Sequence, residues 1–184
     1  MTVVTTLPWG RPLTRADLET MPDDGHRHEL VDGTLLVSPA PTIRHQHVVR
    51  ALLVILNEAR PDHLTALCAP VDVVLSDRTV LQPDVLLARR ADLTDADLPA
   101  PPVLAVEVLS PSTRAVDQLL KYGRYAESGV EHYWIVDPDE PSLTAYRLSS
   151  DGSYEQIAQV TADEPFVATD PVHAVIIPSA LVEP

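Results

Sequence analysis

The sequence predicts one α/β (α+β) domain, a sheet carrying two substantial helices. Three observations predict it. The periodic segments run helix, hairpin, helix, several strands, helix, strand, hairpin, an order that needs both layers in one unit. One run, "VLAVEVLS" (103–110), is nearly continuous apolar, as a central strand covered on both faces requires. The 18 prolines, against 6 glycines in 184 residues, gather at segment boundaries such as Pro39, Pro41, Pro83, Pro111 and Pro138. Proline can neither continue a helix nor donate within a central strand, so it punctuates short elements.

The elements follow in chain order. "TRADLETM" (14–21) reads as a short helix with Thr14 as N-cap and Asp17 in its first turn. "HRHELVDGTLLVSP" places an Asp32-Gly33 turn between two strand-like arms, a strong hairpin signal. "TIRHQHVVRALLVILNEA" (42–59) is the first long helix, with Ile43, Val48, Leu52, Leu56 and Ala59 on one stripe and Pro61 behind its end. "APVDVVLS" alternates and reads as a strand, and the stretch around 80–88 reads as another, entered through Pro83. "DLTDADLPAPP" (92–102) is a loop. After the 103–110 strand, a helix is expected over about 112–128, capped by Ser112 or Thr113 and stopped at Gly129. "EHYWIVDP" (131–138) is a strand, "SLTAYRLSSDGSYEQIAQV" a hairpin around Asp151-Gly152, and "PVHAVIIPSALV" a final extended element. No composition break divides the chain, so residues 1–184 are expected to form a single domain with a C-terminal β-hairpin extension.

Composition excludes several classes. The lone cysteine, Cys68, can make neither an internal disulfide nor a cysteine-based zinc site, and points to a cytoplasmic protein. The first residues lack the pattern of a signal peptide. The longest apolar run, "ALLVIL" (51–56), falls far short of the roughly 20 residues that span a bilayer. The net charge of −14 denies the chain the overall basic field of proteins that grip nucleic acid by its phosphates. Any such contact must come from a local patch or a bound cation. No Gly-rich phosphate loop and no nucleophile elbow occurs.

Chemistry concentrates in carboxylates inside apolar runs. Asp84 in "QPDVLLARR" and Glu107 in "VLAVEVLS" lie in segments expected to pair in one sheet. A buried ionised carboxylate is costly unless paired, protonated or bound to a metal. Two of them side by side suit a hard divalent ion, Mg²⁺ before others. The plainer alternative is that each ends a strand at the surface or pairs with an arginine such as Arg89. Lys121 falls about 13 Å up the following helix, which returns it to the level of Glu107, where it could orient water or offset charge on a phosphate. Its plainer role is a surface pair with Asp117, four residues earlier. Glu29 shares one face of its arm with Val31. It is a further buried carboxylate if that face is the core side, and a solvated hairpin residue otherwise.

Together, "HELVDGTLLVSPAPTIRHQHVVRALLVIL", "QPDVLLA", "LAVEVLSPST" and "KYGRYAESGVEHYWIVDP" resemble the Uma family of restriction-endonuclease-like proteins, part of the PD-(D/E)XK nuclease superfamily. The resemblance runs from about residue 14 to about residue 160. It implies a mixed central sheet flanked by helices, with a divalent metal at its carboxylates. It puts Asp84 in the aspartate role and Glu107 in the glutamate role, and matches Glu29 to the acidic residue of the family's "EL-DG" segment. The superfamily's lysine two residues after the glutamate is here Leu109. Lys121 instead matches the lysine that this family carries on the next helix.

The expectation is therefore a Mg²⁺- or Mn²⁺-dependent endonuclease acting on nucleic acid, DNA before RNA or a small nucleotide, with Asp84, Glu107 and Glu29 holding the metal and Lys121 catalytic. A homodimer is expected, because cutting two strands favours paired sites, and no membrane contact is. Lys121→Ala is expected to lose cleavage and keep its fold. The rival is a binding or assembly module that keeps the fold without turnover. Arg114, Lys121 and Arg124 form a candidate basic strip for phosphate. His45 and His47, two apart on a helix, do not face one another, so a shared ion is not expected; His45 could look toward the site from the helix edge, but a structural or solvent role is assigned ahead of that. Tyr133 and Trp134 are assigned to core packing.

Overall fold

The computed structural model describes residues 8, 10–111 and 114–183. The short helix α1 (Arg15–Leu18) starts where the Thr14 N–H donates to Asp17 Oδ2 at 2.8 Å, which satisfies an amide that the helix itself leaves open. Strands β1 (Arg27–Val31) and β2 (Thr34–Ser38) form the predicted hairpin. Asp32 and Gly33 both take positive φ, 53° and 78°, the left-handed geometry of a two-residue turn. Gly33 has a second reason to be glycine, since a Cβ there would lie 2.4 Å from Pro12 Cβ.

Helix α2 (Ile43–Ala59) begins at Thr42, whose Oγ1 accepts the His45 N–H at 3.2 Å. Val48, Leu52 and Leu56 are fully buried, as the stripe requires. Ile43 departs from it at 77% exposed, because the inward position of the first turn belongs to the polar His45.

The stretch read as one strand around 80–88 is two, β5 (Thr79–Leu81) and β6 (Val85–Arg89). Pro83 has no N–H for a ladder, and the Gln82-Pro83-Asp84 link carries the chain from one sheet to another. β3 (Leu64–Cys68), which the alternation of "LTALC" is too weak to announce, pairs with β6. β4 (Val73–Ser76) joins β5 and the first hairpin in a four-stranded sheet ordered β2-β1-β5-β4.

The larger sheet is completed by β7 (Leu104–Val108), β8 (His132–Asp137), β9 (Ser142–Leu148) and β10 (Tyr154–Thr161). Its order is β10-β9-β8-β7-β6-β3, and only β7 and β8 run parallel. A parallel pair needs a crossover, supplied here by a π-helical turn, Val116–Lys121, running into α3 (Tyr122–Glu127). Gly129, at φ 82°, follows its end. The expected caps Ser112 and Thr113 lie outside the described residues. The predicted final extended element is a small hairpin partner, β12 (Ala174–Ile176), paired with β11 (Phe166–Ala168) and followed by a helical turn, α4 (Pro178–Leu181).

Period-2 alternation divides the core in two. On one face of the large sheet, Val85, Leu87, Leu104, Val106 and Trp134 pack with Val48, Leu52 and Leu56 of α2. On the other, Ala105, Tyr133 and Ile135 pack with Val31 and Leu81 of the small sheet and Tyr125 of α3. Each large apolar side chain removed from water contributes roughly 1.5–3 kcal/mol. The result is a mixed central sheet flanked by helices, as expected.

Candidate active site

Register brings two of the sequence-selected acids together. β6 and β7 pair Val85 with Val106 and Leu86 with Ala105; carried one residue further, the register sets Asp84 opposite Glu107. Alternation then turns both toward the small sheet, on the side of Leu86 and Ala105. Both line a cavity of about 200 Å³ that Glu29, Lys121 and Asp117 also line.

Glu29 stands on the core side of β1, 2% exposed, so the solvated-hairpin alternative is excluded. Its Oε1 accepts the Gln82 N–H at 2.7 Å, tying the hairpin to the link between the sheets. Lys121 is equally buried and is no surface residue. Its Nζ lies 3.0 Å from Glu29 Oε1, 3.1 Å from Glu107 Oε1 and 3.4 Å from Asp117 Oδ1. The Tyr125 hydroxyl also donates to Glu107 Oε1, at 2.9 Å. Asp84 accepts from Arg27 Nη2 through Oδ1 at 2.9 Å, and from the Val108 N–H through Oδ2 at 2.8 Å. Asp84 Oδ2 also lies 3.1 Å from His45 Nε2.

Electrostatics separate the two facing acids. Burial pushes Asp84 up, but the His45 hydrogen bond and the charges of Arg27, His45 and Lys121 outweigh it and hold the carboxyl down at about 2. Burial dominates at Glu107, and Asp117, Asp84 and Glu29 add repulsion that Lys121 only partly offsets, so its carboxyl is raised well above the ordinary range. At Lys121, burial favours the neutral amine, yet Glu107, Glu29, Asp117 and Asp84 together raise it, so it is a firm cation.

Asp84 thereby sets an acid limit on stability. Its folded value lies below the usual 3.8, so the stabilisation is present above about pH 4 and is lost as pH falls through about 2, worth ~2 kcal/mol. We expect Asp84→Asn, which cannot titrate, to flatten the acid limb of a melting-temperature profile by that amount. Parallel profiles for the two proteins would refute it.

Several participants are not evident in the sequence. Arg27 carries no motif. His45, assigned a structural or solvent role, reaches Asp84 because the first turn of α2 crosses the end of β6; His47 is only half-buried and lies elsewhere on the helix. Asp117 belongs to the cluster and not to the surface. The basic strip does not form: Arg114 pairs with Asp137 at 2.7 Å and Arg124 with Asp32 at 2.9 Å, while Lys121 points inward. Arg89 pairs with Glu131 and with neither site acid. Tyr133 and Trp134 are core residues.

Among the described residues, no group of three or more His, Cys, Asp or Glu side chains is arranged to hold a metal ion, and no helix is long and apolar enough to cross a membrane. Two features of the site nonetheless fit a hard divalent cation. Four buried carboxylates, Glu29, Asp84, Glu107 and Asp117, face two strong cations, Arg27 and Lys121. In addition, none of the hydrogen bonds to Glu29 or Glu107 among the described residues uses Oε2.

The fold has a solved counterpart. A crystal structure described as "a putative nuclease belonging to DUF820" from Anabaena variabilis superposes with a TM-score of 0.71, covering 93% of this chain and 98% of that one at 18% identity. No curated protein matches significantly. The sequence from residue 15 to residue 178 matches the Uma2 family model, described as "Putative restriction endonuclease", and the chain belongs to that family.

Proposed function

We propose that the chain is a Mg²⁺-dependent endonuclease, with Mn²⁺ able to substitute, that hydrolyses phosphodiester bonds of DNA. The observation that carries this reading is the buried cluster itself. Asp84 and Glu107 face one cavity from adjacent strands, with Glu29 beside them and an ammonium 3.0–3.1 Å from two of the three. A fold without use for a cation has little reason to crowd four buried carboxylates, Glu29, Asp84, Glu107 and Asp117, around one pocket. Family membership and the nuclease description of the structural neighbour support the same reaction class.

Asp84, Glu107 and Glu29 would hold the ion. When bound, such an ion polarises the scissile phosphate and lowers the pKa of an attacking water. Arg27, His45 and the Val108 amide fix the orientation of Asp84. Tyr125 and Lys121 fix one oxygen of Glu107, which leaves the other for ligation. Lys121 keeps a full positive charge at the level of the reacting centre, where it stabilises charge that develops on the phosphate.

A binding or assembly module without turnover is the second reading. It draws on the net charge of −14 and on an Asp84 whose two oxygens are already engaged. Calorimetry with Mg²⁺ and Mn²⁺, run beside cleavage of labelled DNA, tests both. The nuclease reading expects heat from the wild type, none from Asp84→Ala, and cleavage that chelator stops. A wild type that neither binds the ions nor cuts any substrate leaves the module.

A further inference from the structure

A second, larger cavity of about 570 Å³ opens beside the acid cluster. It lies between β1, the loop from β2 to α2, and the loop from β3 to β4. The two cavities share Arg27, His45, Asp84 and the 39–41 segment, so the aspartate stands at their junction. Arg27 is the sole Lys or Arg among the described residues lining the larger one. Lys121 cannot serve there, because it is buried and held by three carboxylates. Arg27, in contrast, is 21% exposed. Its guanidinium has five N–H donors and, among the described residues, uses two, to Gln82 O at 3.1 Å and Asp84 Oδ1 at 2.9 Å.

Size and charge narrow the ligand. Clefts of this volume take a single small-molecule-sized group. Duplex DNA, held by its phosphates, needs a row of cations, and this cleft offers one. Of its three carboxylates, Asp84 is engaged with Arg27 and His45 and Asp72 with Gln82 Nε2 at 2.7 Å, while Asp23 stands exposed at the rim. We propose that the larger cleft is the substrate-strand site, that it takes one unpaired stretch of nucleic acid, and that Arg27 anchors a phosphate of that strand next to Asp84. The proposal rests on the nuclease reading and goes beyond it in naming the strand state and the anchor. Arg27 is a binding residue in this scheme, lining the cleft with donors beyond the two already used.

The test is equilibrium binding of a short labelled DNA, as a single strand and as a blunt duplex, with Ca²⁺ in place of Mg²⁺. Salt titrations and melting temperatures are recorded alongside. The wild type should bind the single strand more tightly than the duplex. Arg27→Ala should weaken single-strand binding roughly tenfold and reduce the slope of log K against log salt by about 0.7, the value of one lost phosphate contact. Arg27→Lys keeps a cation on Asp84 but loses the fork, and should recover part of the affinity; it also keeps the test open if the alanine variant melts early. Duplex binding at least as tight as single-strand binding overturns the proposal. So does unchanged affinity and slope in both variants. If those results come with intact Mg²⁺-dependent cleavage, the nuclease reading stands without it; if nothing binds and nothing is cut, both fall.

Discussion

Lys121→Ala will unfold far more readily than the wild type, losing about 3–5 kcal/mol in chelator, and will not cleave. The sequence alone suggested a variant that loses cleavage but keeps its fold and most of its metal affinity, as a purely catalytic lysine would. The structure reverses that expectation. The Lys121 ammonium is the nearest cation to Glu29, Glu107 and Asp117, all 2% exposed or less. Removing it takes from these three buried carboxylates the ammonium that lies 3.0–3.4 Å from each of them. For a domain whose total stability is about 5–15 kcal/mol, that is a large share. Urea unfolding in chelator measures it directly. A midpoint matching the wild type would return Lys121 to a minor role.

Glu107→Gln should do the opposite to stability and the same to activity. Burial and three neighbouring acids already push the Glu107 carboxyl toward its neutral form. An amide of the same shape keeps an oxygen to accept from Lys121 and Tyr125 and removes the cost of ionising a carboxyl in this pocket. Stability in chelator is expected to hold or rise. Cleavage is expected to fall on the order of 100-fold or more, because a neutral amide is a poor ligand for a hard cation and the ion contributes several kcal/mol to the reaction. Paired unfolding and rate measurements on this variant separate a functional carboxylate from a structural one. A stable, fully active Glu107→Gln would remove Glu107 from the metal set. A variant that is both unstable and inactive would make it a folding residue.

Much of the architecture was legible because local signals agreed with global ones. Asp32-Gly33 demands a hairpin, 103–110 demands a covered strand, and α2 shows its stripe from Val48 onward. The acids Asp84 and Glu107 were legible for the same reason, as charges where the pattern calls for apolar residues. What stayed hidden depends on contacts between distant segments. His45 acquires its role from the way α2 crosses the end of β6, which no spacing within 42–59 encodes. Arg27 stands in a short run with two histidines, indistinguishable there from a solvated surface. The π-helical turn at Val116–Lys121 is invisible in the sequence, which reads as an ordinary helix, yet such turns gather at functional sites because they re-aim side chains. Lys121 is the last residue of this one.

The Gln82-Pro83-Asp84 link makes length, more than chemistry, the sensitive property of that stretch. Leu81 ends a strand of one sheet and Val85 begins a strand of the other, with the Gln82 amide held by Glu29 and the Asp84 carboxylate by Arg27. An added or deleted residue there would put β5 and β6 out of phase, so that either Asp84 or the whole of Val85–Arg89 would face the wrong side. Tolerance to indels should therefore be nil across these three positions and ordinary at the exposed Asp151-Gly152 turn.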